Sequence, residues 1–71
     1  MTYTIKINDL VQGWACQEEI VFDILNRLYK QAKNVNISKQ LKGVKLLDNE
    51  FTIEYTTKEG KVIDKISVKS E

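Results

Sequence analysis

One stretch of this sequence, residues 16–33, most constrains the fold because it is the only segment with sustained helical periodicity. Its apolar residues recur at steps of three and four, whereas charged and polar residues occupy the rest of the circumference. The apolar positions are Ile20, Val21, Ile24, Leu25, Leu28 and Ala32. Acidic residues near its start and lysines near its end match the helix dipole. The pattern predicts one long amphipathic helix that organises the core.

The segments on either side of this helix show the period-two alternation of strands. Residues 2–8 predict a first strand, and residues 44–47, 51–57 and 61–69 predict three more, separated by turn-forming residues. Residues 36–42 favour a short extra helix, with Asn36 as its cap, although a coil fits the pattern equally well. The expected order is therefore β-α-β-β-β.

The last predicted strand contains one irregularity, at Asp64. Its alternation places Asp64 on the same face as Val62, Ile66 and Val68, where a charged side chain is not expected. A bulge near Asp64, or an edge position that keeps the carboxylate in water, would resolve this conflict.

These elements predict an α+β fold with two layers, in which the long helix packs on a small, mostly antiparallel sheet. The 71 residues form one domain, residues 1–71, with room for one modest core. Because there is a single cysteine and no histidine, neither an intramolecular disulfide nor the usual zinc ligand sets are available to stabilise it. Self-association is the stabiliser that remains, so a homodimer is expected.

The residue types needed for common catalytic sites are largely missing. No histidine is available as a base, and the three glycines are isolated rather than grouped in a phosphate-binding loop. Cys16, near the expected helix start, is better explained as a small packed residue than as a nucleophile. The sequence therefore predicts a protein that is not an enzyme and that needs no cofactor or metal.

A single helix covers only one face of a sheet, so the other face is the expected contact surface. Leu47 and Ile63 fall on that face in the predicted strands, and Trp14 lies at the entry to the helix. Exposed tryptophan is enriched at protein interfaces. The leading hypothesis is a regulator, inhibitor or adaptor that binds another protein through Trp14, Leu47 and Ile63, or through an exposed edge strand.

The alternative hypothesis is nucleic-acid binding through lysines. Residues 30–45 contain five lysines and no acidic residue, and the last strand adds more. The candidate phosphate contacts are Lys39, Lys42, Lys45, Lys61 and Lys65. The net charge of only +1 argues against this hypothesis, as does the lack of an aromatic residue on the face where the strand lysines are expected.

The sequence also bears on location. The first residues lack the features of a secretory signal, and no apolar run approaches the roughly 20 residues that span a bilayer. We therefore expect a cytoplasmic protein without a membrane partner.

Overall fold

The computed structural model describes residues 1–71 and contains four strands and two helices. In chain order they are β1 (Tyr3–Ile7), β2 (Leu10–Ala15), α1 (Glu18–Ala32), α2 (Ile37–Gln40), β3 (Asn49–Thr57) and β4 (Gly60–Ser70). The strands form one antiparallel sheet in the order β2-β1-β4-β3, and α1 packs on one of its faces. This confirms the predicted two-layer α+β fold. Neither helix has the length and apolar character that would let it cross a membrane.

The core lies between α1 and the inner face of the sheet. Val21, Leu25 and Tyr29 project from α1 at steps of four and are almost completely buried. They pack in one cluster with the apolar residues that alternate along the central strands, among them Ile5 and Ile66. The helical periodicity thus identified the correct segment. Helix α1 begins two residues later than predicted, at Glu18, and ends at Ala32.

A strand that the sequence did not predict, β2, follows β1 directly in a hairpin. Asn8 and Asp9 form its turn with positive φ angles of 50° and 68°, as the type I′ turns of two-residue hairpins require. The register between the strands shifts by one residue, so that Gln12 is an extra residue in β2. This bulge breaks the alternation and hides the strand from a period-two pattern.

The prediction of a strand at residues 44–47 is wrong. These residues form a loop and a turn before β3, with Leu46 buried and Val44 half-buried against the core. The main-chain N–H of Leu46 donates to Glu18 Oε1 at 3.0 Å, which ties this loop to the start of α1. The observed order is therefore β-β-α-α-β-β. The short helix expected within residues 36–42 is confirmed as α2, and the side chain of Asn36 caps it by accepting from the N–H of Lys39.

The outer face of the sheet is not covered by either helix. Residues directly opposite each other on paired strands share a face, so the register assigns the outer positions. They include Thr4, Lys6, Val11, Trp14, Glu50, Thr52, Glu54, Thr56, Lys61, Ile63, Lys65, Ser67 and Lys69. We call this surface the open face.

Candidate functional site

The most densely hydrogen-bonded group in the molecule is the carboxylate of Asp64. It is 3% exposed and lies on the inner face of β4. Its Oδ2 accepts from Lys33 Nζ at 2.7 Å, Tyr29 Oη at 2.8 Å and Tyr55 Oη at 3.0 Å. Its Oδ1 accepts from Asn8 Nδ2 at 2.9 Å. We call these five residues the Asp64 cluster.

The electrostatics of the Asp64 cluster favour an ionised carboxylate. Burial alone would raise the pKa of Asp64, but hydrogen bonds from Lys33, Tyr29, Asn8 and Tyr55 outweigh burial and lower the pKa from 3.8 to about 2. Burial, reinforced by the hydrogen bond to Asp64, raises the pKa of Tyr29. Burial opposes the charge of Lys33, yet its hydrogen bonds to Asp64 and Tyr55 leave its pKa raised. The Lys33 ammonium also lies 4.9 Å from the Tyr29 ring centroid and 5.2 Å from that of Tyr55.

The Asp64 cluster corrects the expectation that Asp64 lies at a bulge or at a solvated edge. Strand β4 is central in the sheet, and its register with β3 is continuous through Asp64. Both carboxylate oxygens already accept hydrogen bonds from within the protein, so the group has little capacity to accept a proton from a substrate. The geometry indicates that Asp64 anchors α1 and the β1–β2 turn to the sheet.

The two edges of the sheet differ in how well their main-chain groups are satisfied. At the β3 edge, Gln40 of α2 reaches the main chain of Glu54: Gln40 Nε2 donates to the Glu54 carbonyl at 2.7 Å, and the Glu54 N–H donates to Gln40 Oε1 at 3.1 Å. The N–H of Glu50 donates to Asn49 Oδ1. Side chains thus occupy part of the ladder position that a further strand would use.

The β2 edge has no such protection. Apart from the pairing with β1, its only hydrogen bond is a 3.4 Å contact within the strand, from Gln12 Nε2 to the Leu10 carbonyl. Three apolar side chains of β2 are exposed: Leu10 by 68%, Val11 by 47% and Trp14 by 62%. The strand, LVQGWA, contains no charged residue. We call Leu10, Val11, Trp14 and the outward main-chain groups of β2 the β2 edge surface.

The structure separates the three residues predicted to bind protein. Trp14 is an exposed residue of the edge strand β2 and lies on the open face. Ile63 is also on the open face and 55% exposed, but it lies six residues along β4 from Lys69, the residue level with Trp14, which is roughly 20 Å. Leu47 is not on the open face, because it lies in the turn before β3 and packs half-buried against the core.

The predicted lysines do not form one patch either. On the open face, Lys61 Nζ lies 3.0 Å from Glu54 Oε1, and Lys65 Nζ lies 3.8 Å from Glu50 Oε2. Neighbouring carboxylates therefore offset the charges of both lysines. The other three lie outside the sheet, in α2 and the loop that follows it: Lys39, Lys42 and Lys45.

Trp14 does share the open face with two other lysines, contrary to the expectation that no aromatic residue lies there. Thr4 pairs with Trp14 on one side and with Lys69 on the other, and Lys6 follows two residues along β1. Thr4 is only 4% exposed, which indicates that the larger side chains around it cover it. Its hydroxyl has no hydrogen-bond partner. Sequence reasoning missed this arrangement because it required the pairing of β2.

A groove of about 450 Å³ separates α1 from the loop after α2. Its lining combines apolar side chains with acidic residues of α1: Phe22, Leu41, Val44, Leu46, Glu18, Glu19 and Asp23. Glu18, one of these acidic residues, is already bonded to the Leu46 N–H. No group of three cysteine, aspartate or glutamate side chains lies close enough together to hold a metal ion.

Comparison of the chain with protein-family models, with curated proteins and with solved structures found no match. The geometry of the molecule is therefore the basis for any functional conclusion.

Proposed function

We propose that this protein is a small, non-catalytic binding module that recognises another protein through the β2 edge surface. The observation that carries the proposal is the difference between the two sheet edges: side chains occupy part of the β3 edge, whereas no other element bonds the free edge of β2, where three of the four exposed side chains are apolar. An exposed edge strand is a template for another strand, and proteins that do not use such an edge usually protect it with charge or cover.

The β2 edge surface has the two features needed to bind an extended peptide segment as an additional strand of the sheet. Outward main-chain N–H and C=O groups supply hydrogen bonds to an extended segment, and flanking side chains determine which segment fits. Trp14 and Val11 flank the edge on the open face, and Leu10 flanks it near the turn. Trp14 is the expected anchor, because large aromatic side chains contribute much of the binding energy at interfaces.

Site-specific photo-crosslinking in cells of the source organism tests this proposal. A photoreactive phenylalanine analogue replaces Val11 on the β2 edge in one variant and Thr56 on the β3 edge in a control variant; both positions are exposed. We expect a discrete crosslinked protein from position 11 and none from position 56. The absence of any discrete product from position 11, or equal products from both positions, would overturn the proposal.

Nucleic-acid binding is a second candidate, favoured by the presence of Trp14, Lys6 and Lys69 around Thr4 on the open face. An exposed indole can stack on a base while lysines contact phosphates. Because Trp14 is the only tryptophan, its fluorescence reports such stacking directly. This candidate predicts quenching by single-stranded oligothymidylate that weakens with added salt and with Lys69→Gln. No quenching at low salt would eliminate it.

A further inference from the structure

We propose that the β2 edge surface binds a second copy of this chain, so that two β2 strands pair antiparallel across a twofold axis and two four-stranded sheets become one of eight strands. This inference rests on the proposed function and names the partner.

The charge of the edge strand favours self-pairing. In a twofold pair of short antiparallel strands, a charge on one strand lies within a few residues of the same charge on the other, so charged edges resist self-pairing. Strand β2 carries no charged residue, and three of its four exposed side chains are apolar. Pairing of two such strands removes Leu10, Val11 and Trp14 from water without burying an unpaired charge.

The bulge in β2 selects one register. Val11 and Trp14 lie opposite Lys6 and Thr4 of β1 on the open face. The main-chain bonds from Asn8 N–H to the Lys65 carbonyl and from Glu71 N–H to the Thr2 carbonyl show that the even-numbered residues of β1 direct their main-chain groups towards β4, so Val11 and Trp14 direct theirs away from β1. A twofold axis that places Val11 opposite Trp14 of the second copy therefore lets the outward main-chain N–H and C=O groups of both residues form hydrogen bonds in both copies. Gln12 then lies opposite Gly13 of the second copy and Gly13 opposite its Gln12, so the two bulges meet at the twofold axis.

The blocked β3 edge explains why association stops at two copies. A chain with two free edges can add copies at both ends and form an open assembly, whereas an isologous contact at one edge closes the assembly. The Gln40 side chain occupies main-chain groups of Glu54 in the middle of β3, leaving β2 as the available edge. The dimer also supplies burial that a chain of 71 residues lacks.

Sedimentation analysis with matched variants tests the dimer. Val11→Glu places a carboxylate opposite Lys6 on β1, which suits the folded monomer but puts a charge in the proposed interface. Thr52→Glu is its control, because it places a carboxylate opposite Lys65 on the blocked edge. Circular dichroism confirms that both variants fold.

For the unmodified chain we expect a concentration-dependent mass that approaches twice 8.2 kDa between about 1 μM and about 1 mM, the range suited to a small interface. Val11→Glu should weaken association by about tenfold or more, and Thr52→Glu should leave it unchanged. A strict monomer throughout, or a folded Val11→Glu that still dimerises, would overturn the dimer. A monomer that still crosslinks from position 11 to a different protein would overturn the dimer alone and support the proposed function.

Discussion

Replacing Asp64 with asparagine removes the negative charge of the carboxylate that accepts the hydrogen bonds of the Asp64 cluster, while keeping the shape of the side chain. Removing one partner of a buried charge pair costs about 3–5 kcal/mol, and we expect the lower end because Lys33 is one-third exposed and can regain water. A chain of 71 residues has a free energy of unfolding of about 4–10 kcal/mol. Asp64→Asn should therefore fold but unfold at much lower urea concentration.

The pH dependence of this difference is the sharper part of the test. Because the pKa of Asp64 is lowered from 3.8 in the unfolded chain to about 2 in the folded protein, ionisation stabilises the fold above pH 3.8, and this contribution is lost as the pH falls towards 2. At ~1.4 kcal/mol per pKa unit the contribution is about 2–3 kcal/mol. The stability gap between the unmodified chain and Asp64→Asn should shrink by that amount between pH 7 and pH 2.

Urea denaturation followed by circular dichroism across this pH range measures the gap. Glu59→Gln is the control, since Glu59 is an exposed carboxylate in the β3–β4 turn and should show no gap at any pH. Tyr55→Phe provides a milder variant that removes one donor and should cost about 1.5–3 kcal/mol at neutral pH. A gap for Asp64→Asn that stays constant from pH 7 to pH 2 would refute the assignment of an ionised, internally bonded carboxylate.

Three further variants test other features. Gln40→Ala removes both hydrogen bonds to Glu54 and should lower the free energy of unfolding by about 1–3 kcal/mol and promote aggregation, measured by urea denaturation and light scattering, with Lys39→Ala as a neutral control. Thr4→Val replaces an unpartnered buried hydroxyl with a methyl group and should raise the melting temperature; a lower melting temperature would show that the hydroxyl is satisfied. Gly60→Ala should lower the free energy of unfolding by about 1–3 kcal/mol, measured by thermal denaturation, because φ at this first residue of β4 is +125°; an unchanged free energy of unfolding would contradict that conformation.

Local periodicity was sufficient to predict part of this fold. The helix α1 and the β3–β4 hairpin have regular patterns of buried residues, and a regular pattern needs no knowledge of the rest of the chain. Strand β2 could not be predicted because Gln12 interrupts its alternation. Residues 44–47 alternate like a strand, but their apolar side chains fill the space between α1 and the sheet instead of pairing with another strand.

The candidate site was less accessible to sequence reasoning because it depends on strand order. Trp14 was identified from residue type alone, and its exposure agrees with a contact role. That β2 forms an unprotected edge follows only from the order β2-β1-β4-β3 and from the reach of Gln40 to the opposite edge. The partners of Asp64 come from the β1–β2 turn, the end of α1 and β3, so no local window contains them.

The pairing of β1 with β4 has a consequence for synthesis on the ribosome. A nascent chain from which β1 and α1 have emerged, but not residues 60–70, lacks β4, the strand that pairs with both β1 and β3. It therefore also lacks Ile66, Val68 and the Asp64 carboxylate that accepts from Tyr29. Until β4 emerges, one edge of β1 has no strand to pair with. The β1–β4 pairing at the centre of the sheet joins residues from nearly opposite ends of the chain. Translation must therefore pass β4 before the helix has a complete surface on which to pack.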